Sequence, residues 1–153
     1  MRMLLVGSTG GHFNALKQFK SLADKNDSVW VTFKSSTTEE VLNESEVYWA
    51  YGPTNRSLIN LFKNFILAFQ VIWQEKPELV ISTGAGVAVP FLIIGKIFGA
   101  KTIFLESFTR VEDLSMSAKL AKPFIDVIYV QWQQLQTKYS RKAKLLLNLN
   151  NAL

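Results

Sequence analysis

The chain has 153 residues, 48% of them hydrophobic and 19% charged, which suits one globular domain with a real core and excludes a repetitive or low-complexity segment. It has no cysteine and a single histidine, His12, which excludes disulfides, thiolate metal sites, cysteine nucleophiles and any multi-histidine metal centre. The net charge of +5 is uneven: the signs balance at 11 each through Leu114, and beyond it Lys119, Lys122, Lys138, Arg141, Lys142 and Lys144 face only Asp126. Such a basic third suits an anionic bilayer, an acidic partner, nucleic acid or simply a solvated face. Nucleic acid is not the expected partner.

Short apolar β-branched runs alternate with segments of helical period, the pattern of a parallel sheet with crossover helices. Strands are predicted at Met3–Val6, Val29–Phe33, Val47–Ala50, Leu79–Ser82, Thr102–Leu105 and Val127–Val130. Helices fall near Phe13–Lys25, Thr38–Asn43, Ser57–Glu75, Val87–Phe98, Leu114–Lys122 and Gln133–Tyr139. The fold class is therefore α/β, a Rossmann-like doubly wound parallel sheet, with the first, fourth and fifth strands side by side at its centre. Residues 1–153 read as one domain, with 142–153 a helical or frayed tail whose Leu145, Leu146, Leu147 and Leu149 need cover.

No secretory signal is visible at the start. The most apolar segments, Leu58–Trp73 and Val87–Ala100, carry Lys63 and Lys96 and fall short of the roughly 20 apolar residues of a spanning helix. A cytoplasmic protein without a transmembrane helix is expected.

In open parallel sheets the ligand sits beyond the carboxyl ends of the strands, where the winding reverses. The first strand runs into Ser8, Thr9, Gly10 and Gly11 before His12 and a helix. The fourth ends in a second turn, Gly84-Ala85-Gly86, ahead of another helix with Pro90 in its first turn. Bare backbone N–H groups in adjacent turns suit a phosphate or diphosphate, while each turn alone is equally well explained as a tight strand-to-helix connection. Neither the dinucleotide spacing nor a P-loop is present.

The fifth strand delivers Glu106 and Ser107 to the same edge, followed by Arg110. Glu106 is read as a carboxylate that handles a proton, binds a sugar hydroxyl or pairs with Arg110, with a turn cap as the plain alternative. His12 is the candidate general base. On the Ser57–Glu75 helix, Phe65, Phe69, Ile72 and Trp73 are expected to face the sheet. The opposite arc mixes Arg56, Asn60, Lys63, Asn64, Gln70 and Gln74 with Leu67 and Val71; Arg56, Lys63, Leu67 and Val71 are the expected contacts with a membrane or partner.

Five segments occur in a telling order: Gly7 to His12, Thr83 to Gly86 with Pro90, Glu106 to Val111, Leu114 to Lys119, and Val130-Gln131-Trp132 with Lys138-Tyr139. Together they resemble the bacterial CpsF/PssD/EpsE-type polysaccharide biosynthesis proteins. They also resemble the membrane-anchor subunit of the eukaryotic UDP-N-acetylglucosamine transferase of dolichol-linked oligosaccharide synthesis and, more distantly, the N-terminal half of MurG. The resemblance implies half of a GT-B glycosyltransferase. This chain would bind a polyprenyl-diphosphate-linked acceptor at the membrane, and a separately encoded partner would bind the nucleotide sugar. It implies that the glycine turns and Arg110 hold the diphosphate, that His12 or Glu106 deprotonates the acceptor hydroxyl, and that the Ser57–Glu75 helix meets the membrane. No segment here corresponds to the N-terminal membrane helix of the eukaryotic relatives, so attachment to the inner face of the cell membrane is expected to be peripheral or through a partner. The reaction class is inverting transfer from a UDP-sugar in capsule or exopolysaccharide assembly, and no cofactor is implied. A different reading is a stand-alone NADP-binding enzyme, with Lys34 and Ser35 receiving the 2′-phosphate.

Overall fold

A computed structural model describes residues 1–54 and 56–146. The strands are β1 Arg2–Gly7, β2 Asp27–Thr32, β3 Glu46–Trp49, β4 Leu79–Gly84, β5 Lys101–Leu105, β6 Val127–Val130 and β7 Ala143–Leu145. The helices are α1 Gly11–Leu16, α2 Lys20–Asp24, α3 Ser36–Val41, α4 Leu58–Glu75, α5 Ala88–Ile97, α6 Met116–Ala121 and α7 Gln133–Lys138. All seven strands pair in parallel in the order β3-β2-β1-β4-β5-β6-β7, so β1, β4 and β5 are the central strands expected from the sequence.

Both sheet faces are covered, and that is why the central strands read as unbroken apolar runs. Along β1 the side chains alternate between two cores. Leu4 and Val6 point to the layer containing Ala68, Val71 and Ile72 of α4 and Phe91 and Leu92 of α5. Met3 and Leu5 point to Phe13 and Leu16 of α1, with Phe19 and Trp30. The winding reverses between β1 and β4, and the carboxyl ends of these two strands open there.

Three expectations are corrected. The helix expected at Phe13–Lys25 is interrupted by a 3₁₀ turn at Lys17–Phe19. Phe13, Leu16 and Phe19 are spaced by three, and a three-residue turn keeps all of them on the buried side. The stretch from Lys142, expected to be a helical or frayed tail, instead contributes β7. Its period is two: Ala143 is buried and Lys144 exposed, and Ile128 of β6 pairs with Ala143. Leu145 is half-buried and Leu146 packs against the α1-side core, while Leu147 and Leu149 lie outside the described residues.

The third correction concerns the facing of α4. Val71 is 1% exposed and is no surface contact, while Leu67 is half-buried, packing against the α4-side core and lining a shallow groove with Lys63 and Ile66. The outward stripe is Leu58, Ile59, Phe62, Ile66, Phe69 and Trp73, and Phe65 is half-buried. Asn64 turns the helix. Fully buried, it accepts from Tyr51 N–H and donates to Tyr51 C=O, both at 2.9 Å, pairing a loop backbone that would otherwise be buried unsatisfied. Hydrophobic period alone assigns an asparagine to the wet side.

Candidate functional site

The turn after β1 and the turn after β4 are built against each other. Gly10 has φ 72° and Gly84 φ 118°, conformations that side chains with a Cβ rarely adopt. A Cβ on Gly84 would lie 3.0 Å from Cε1 of His12, so the missing side chain is what lets the imidazole rest on the second turn. Thr83 Oγ1 donates to the carbonyl of His12 at 2.7 Å, and His12 Nδ1 bonds the carbonyl of Thr83 at 2.8 Å. A carbonyl only accepts, so Nδ1 carries the proton and Nε2 of the neutral ring holds the lone pair. Below them Ser82 Oγ donates to Val6 C=O and accepts from Gly84 N–H, fixing the two strand ends together.

A cleft of about 830 Å³ opens above this junction. Ser8, Thr9, His12, Ala85, Gly86, Glu106 and Arg110 line it, together with Lys34. Gly10, Gly11 and Gly84 shape the turns beneath, and Gly11 lines a second cleft behind His12. Arg110 is exposed and makes no ion pair among the described residues, while Lys34 reaches Glu39 at 3.3 Å across an exposed surface. The far wall, Gly52-Pro53-Thr54, comes from the loop between β3 and α4. A Cβ on Gly86 would sit 3.1 Å from the Thr54 side chain, so this glycine allows that loop to close in. Sequence reasoning missed this wall. The available signal was that every strand of a parallel sheet ends at the same edge, β3 included.

Glu106 is 2% exposed and its carboxylate is committed. Oε1 accepts from Ser107 N–H at 2.9 Å, and Oε2 accepts from Ser115 N–H at 2.9 Å and Ser115 Oγ at 3.0 Å. Ser115 in turn caps α6 through Ala118 N–H. The side chain thus closes the base of the 107–114 loop, the plain capping arrangement, while lining the cleft.

The rest of that loop is held by residues far along the chain. Trp132 Nε1 donates to Phe108 C=O at 2.7 Å and the two rings lie 4.9 Å apart. Asp113 receives hydrogen bonds from Lys119 and from Tyr139, with Lys138 at 3.3 Å. The Lys119 hydrogen bond, followed by that of Tyr139, holds the Asp113 carboxyl well below the usual carboxylate range. The same contact with Asp113 pushes the Tyr139 phenol up. The separated segments at Glu106–Val111, Leu114–Lys119, Trp132 and Lys138–Tyr139 are therefore one structure, a braced loop beside the cleft.

α4 begins shortly after Thr54, a wall residue of the first cleft. Arg56 and Lys63 are exposed at its N-terminal half, and Lys63 Nζ sits 5.5 Å from the Tyr51 ring. Phe69 and Trp73 stack with centroids 6.2 Å apart, and both pack edge-on to Phe98.

The fold and the switch-point cleft define a Rossmann-like parallel α/β lobe. Its structure superposes on MurG of Acinetobacter baumannii with a TM-score of 0.70 at 15% identity, covering 88% of this chain and 42% of that one. The likeness is one of fold, shared with under half of that chain. Residues 50–146 match the family described as "Oligosaccharide biosynthesis protein Alg14 like", and the chain belongs to that family. It is 40% identical over 70 residues to the UDP-N-acetylglucosamine transferase subunit alg14 of Schizosaccharomyces pombe, covering 42% of this chain and 33% of the relative. It is likewise 40% identical over 86 residues to subunit ALG14 of Homo sapiens, covering 52% and 39% respectively. The chain matches well under two thirds of the length of either relative.

Proposed function

We propose that this chain is the acceptor-binding subunit of a two-protein glycosyltransferase. In this reading a separately encoded partner holds a UDP-sugar and this chain holds a polyprenyl-diphosphate-linked glycan. The observation that carries it is the His12 junction: two glycine turns, an Arg110 without an ion pair among the described residues and a proton-accepting Nε2 share one cleft. That the relatives are transferase subunits supports the same reading.

The diphosphate lies against the turns at Ser8–Gly11 and Gly84–Gly86, where backbone N–H groups and Arg110 offset its charge. His12 Nε2 takes the proton from the acceptor hydroxyl as its oxygen bonds to the anomeric carbon. The bond from that carbon to UDP breaks at the same time, and UDP leaves with the electron pair. Configuration inverts in one displacement, without a covalent enzyme intermediate. Glu106 keeps the 107–114 loop, and with it Arg110, in place.

Membrane attachment is peripheral, at the inner face, through the outward stripe of α4. Leu58 to Trp73 spans about 22 Å of helix, rimmed by Arg56 and Lys63 for anionic headgroups. Among the described residues no helix is long and apolar enough to cross a membrane. Because Thr54 precedes α4 and walls the cleft, a lipid tail leaving the cleft has a short path to this stripe. The setting we favour is capsule or exopolysaccharide assembly of the CpsF/PssD/EpsE type. The NADP reading is less supported, since Glu39 pairs with the very lysine that would take the 2′-phosphate.

The test is transfer from a UDP-sugar to a polyprenyl-diphosphate glycan by partner and chain, together and apart. Turnover is expected only from the pair; a rate unchanged when this chain is omitted overturns the reading. Titration with NADPH is expected to show no binding.

A further inference from the structure

A second cleft, of about 470 Å³, lies behind His12 on the α1 side of the sheet edge. His12, Glu106 and Ser107 line both clefts, so the two meet at the imidazole. Their chemistry differs. The first offers the cations Lys34 and Arg110. The second has one charged lining residue, Glu106, whose carboxylate is already bonded within the protein; its other polar side chains include the amides Asn14, Gln18 and Gln131. No hydrogen bond within the described residues occupies those three amides. Beside them stands Phe108, 65% exposed yet pinned by Trp132 through its carbonyl and its ring.

We infer that this second cleft binds the acceptor's sugar ring, a neutral polyhydroxylated group. Each amide presents both a donor and an acceptor, matching neighbouring hydroxyls or an acetamido group. The Phe108 face meets the apolar C–H face of a pyranose through dispersion contacts. An anion gains nothing there, and a purely apolar group would strand three amides. The inference rests on the diphosphate reading of the first cleft: with the diphosphate on the glycine turns, the attached sugar continues past His12 and brings a hydroxyl to Nε2. Phe108, Gln131, Asn14 and Gln18 are then the residues that select the acceptor sugar.

Calorimetric titration of the full chain with two probes tests this: farnesyl diphosphate, and farnesyl diphosphate carrying one N-acetylglucosamine on its terminal phosphate. The sugar-bearing probe is expected to bind about tenfold more tightly. Phe108→Ala and Gln131→Ala should each remove about three- to tenfold of that gain, read as the ratio of the two affinities, and Gln131→Ala should leave farnesyl diphosphate affinity unchanged. Phe108→Tyr should retain it, and unchanged circular dichroism shows that the variants fold. Arg110→Ala should weaken both probes by the same factor. Equal affinity for the two probes, or a gain surviving Phe108→Ala combined with Gln131→Ala, overturns the sugar site while the Arg110 effect still supports the diphosphate site. Farnesyl diphosphate failing to bind overturns both.

Discussion

His12 and Thr83 hold each other twice, side chain to backbone in each direction, at 2.7 and 2.8 Å. The pairing joins the turns after β1 and β4 and sets which imidazole nitrogen is free. His12→Gln is therefore expected to lower kcat about 10² to 10⁴-fold in the assembled enzyme, with little change in acceptor KM. Retention of full kcat would remove Nε2 from the proton transfer.

Gly84→Ala introduces two faults at once, a Cβ at φ 118° and a contact of 3.0 Å with the His12 ring. A loss of about 1–3 kcal/mol in stability is expected, with a fall in kcat beyond what unfolding explains. Chemical denaturation and kinetics on the same sample separate the two effects. Gly11→Ala is the control for stability alone, because nothing lies within 4 Å of its added methyl and its φ is not positive.

On α4, outward and inward substitutions should give opposite phenotypes. Phe62→Glu and Trp73→Glu should leave the melting temperature nearly unchanged and abolish sedimentation with anionic phospholipid vesicles. Val71→Ala should retain vesicle binding and cost about 1–3 kcal/mol in folding, because the side chain is 1% exposed. Vesicle binding unaffected by both glutamates would move the membrane contact elsewhere.

At the opposite end of the sheet, Tyr48 donates to Glu75, which also pairs with Arg2. This hydrogen bond, reinforced by burial, pushes the Tyr48 phenol up to about 12. A phenol raised in the folded state adds stability below its unfolded value near 10.0, and the gain is lost as pH climbs through about 12. Following phenolate absorbance, Glu75→Gln should return one late-titrating tyrosine toward 10.0. An unchanged titration curve would contradict the assignment.

Asp113 has the opposite sign. Its lowered carboxyl adds order above the unfolded value of 3.8, and that order fades as pH falls below it. Amide protection in the 107–114 loop, taken relative to the intrinsic exchange rate at each pH, should fall in acid in the natural protein. In Asp113→Asn the loop should exchange rapidly at every pH, with transfer reduced about tenfold or more through misplacement of Arg110.

Local pattern was sufficient for the parallel class, six of the seven strands and the two glycine turns. Runs such as Met3–Val6 are apolar on both faces only when a sheet is covered twice, and glycines before a helix mark a strand-end turn whatever surrounds them. The order β1-β4-β5 followed from chirality, which local sterics impose. Asn64 marks where that reasoning stops. Its burial depends on the Tyr51 backbone, a partner that the sequence does not place beside it, so the face of α4 was decided by a hydrogen bond across the fold and not by hydropathy. β7 is three residues long and exists because β6 offers a free edge. Glu106 looked like a free carboxylate until Ser115 closed on it, and the amides flanking Phe108 became one surface only when β6 was laid beside β5. Period and turn chemistry act between neighbours in the chain and are legible there; pairing across tens of residues is settled when packing brings the groups together.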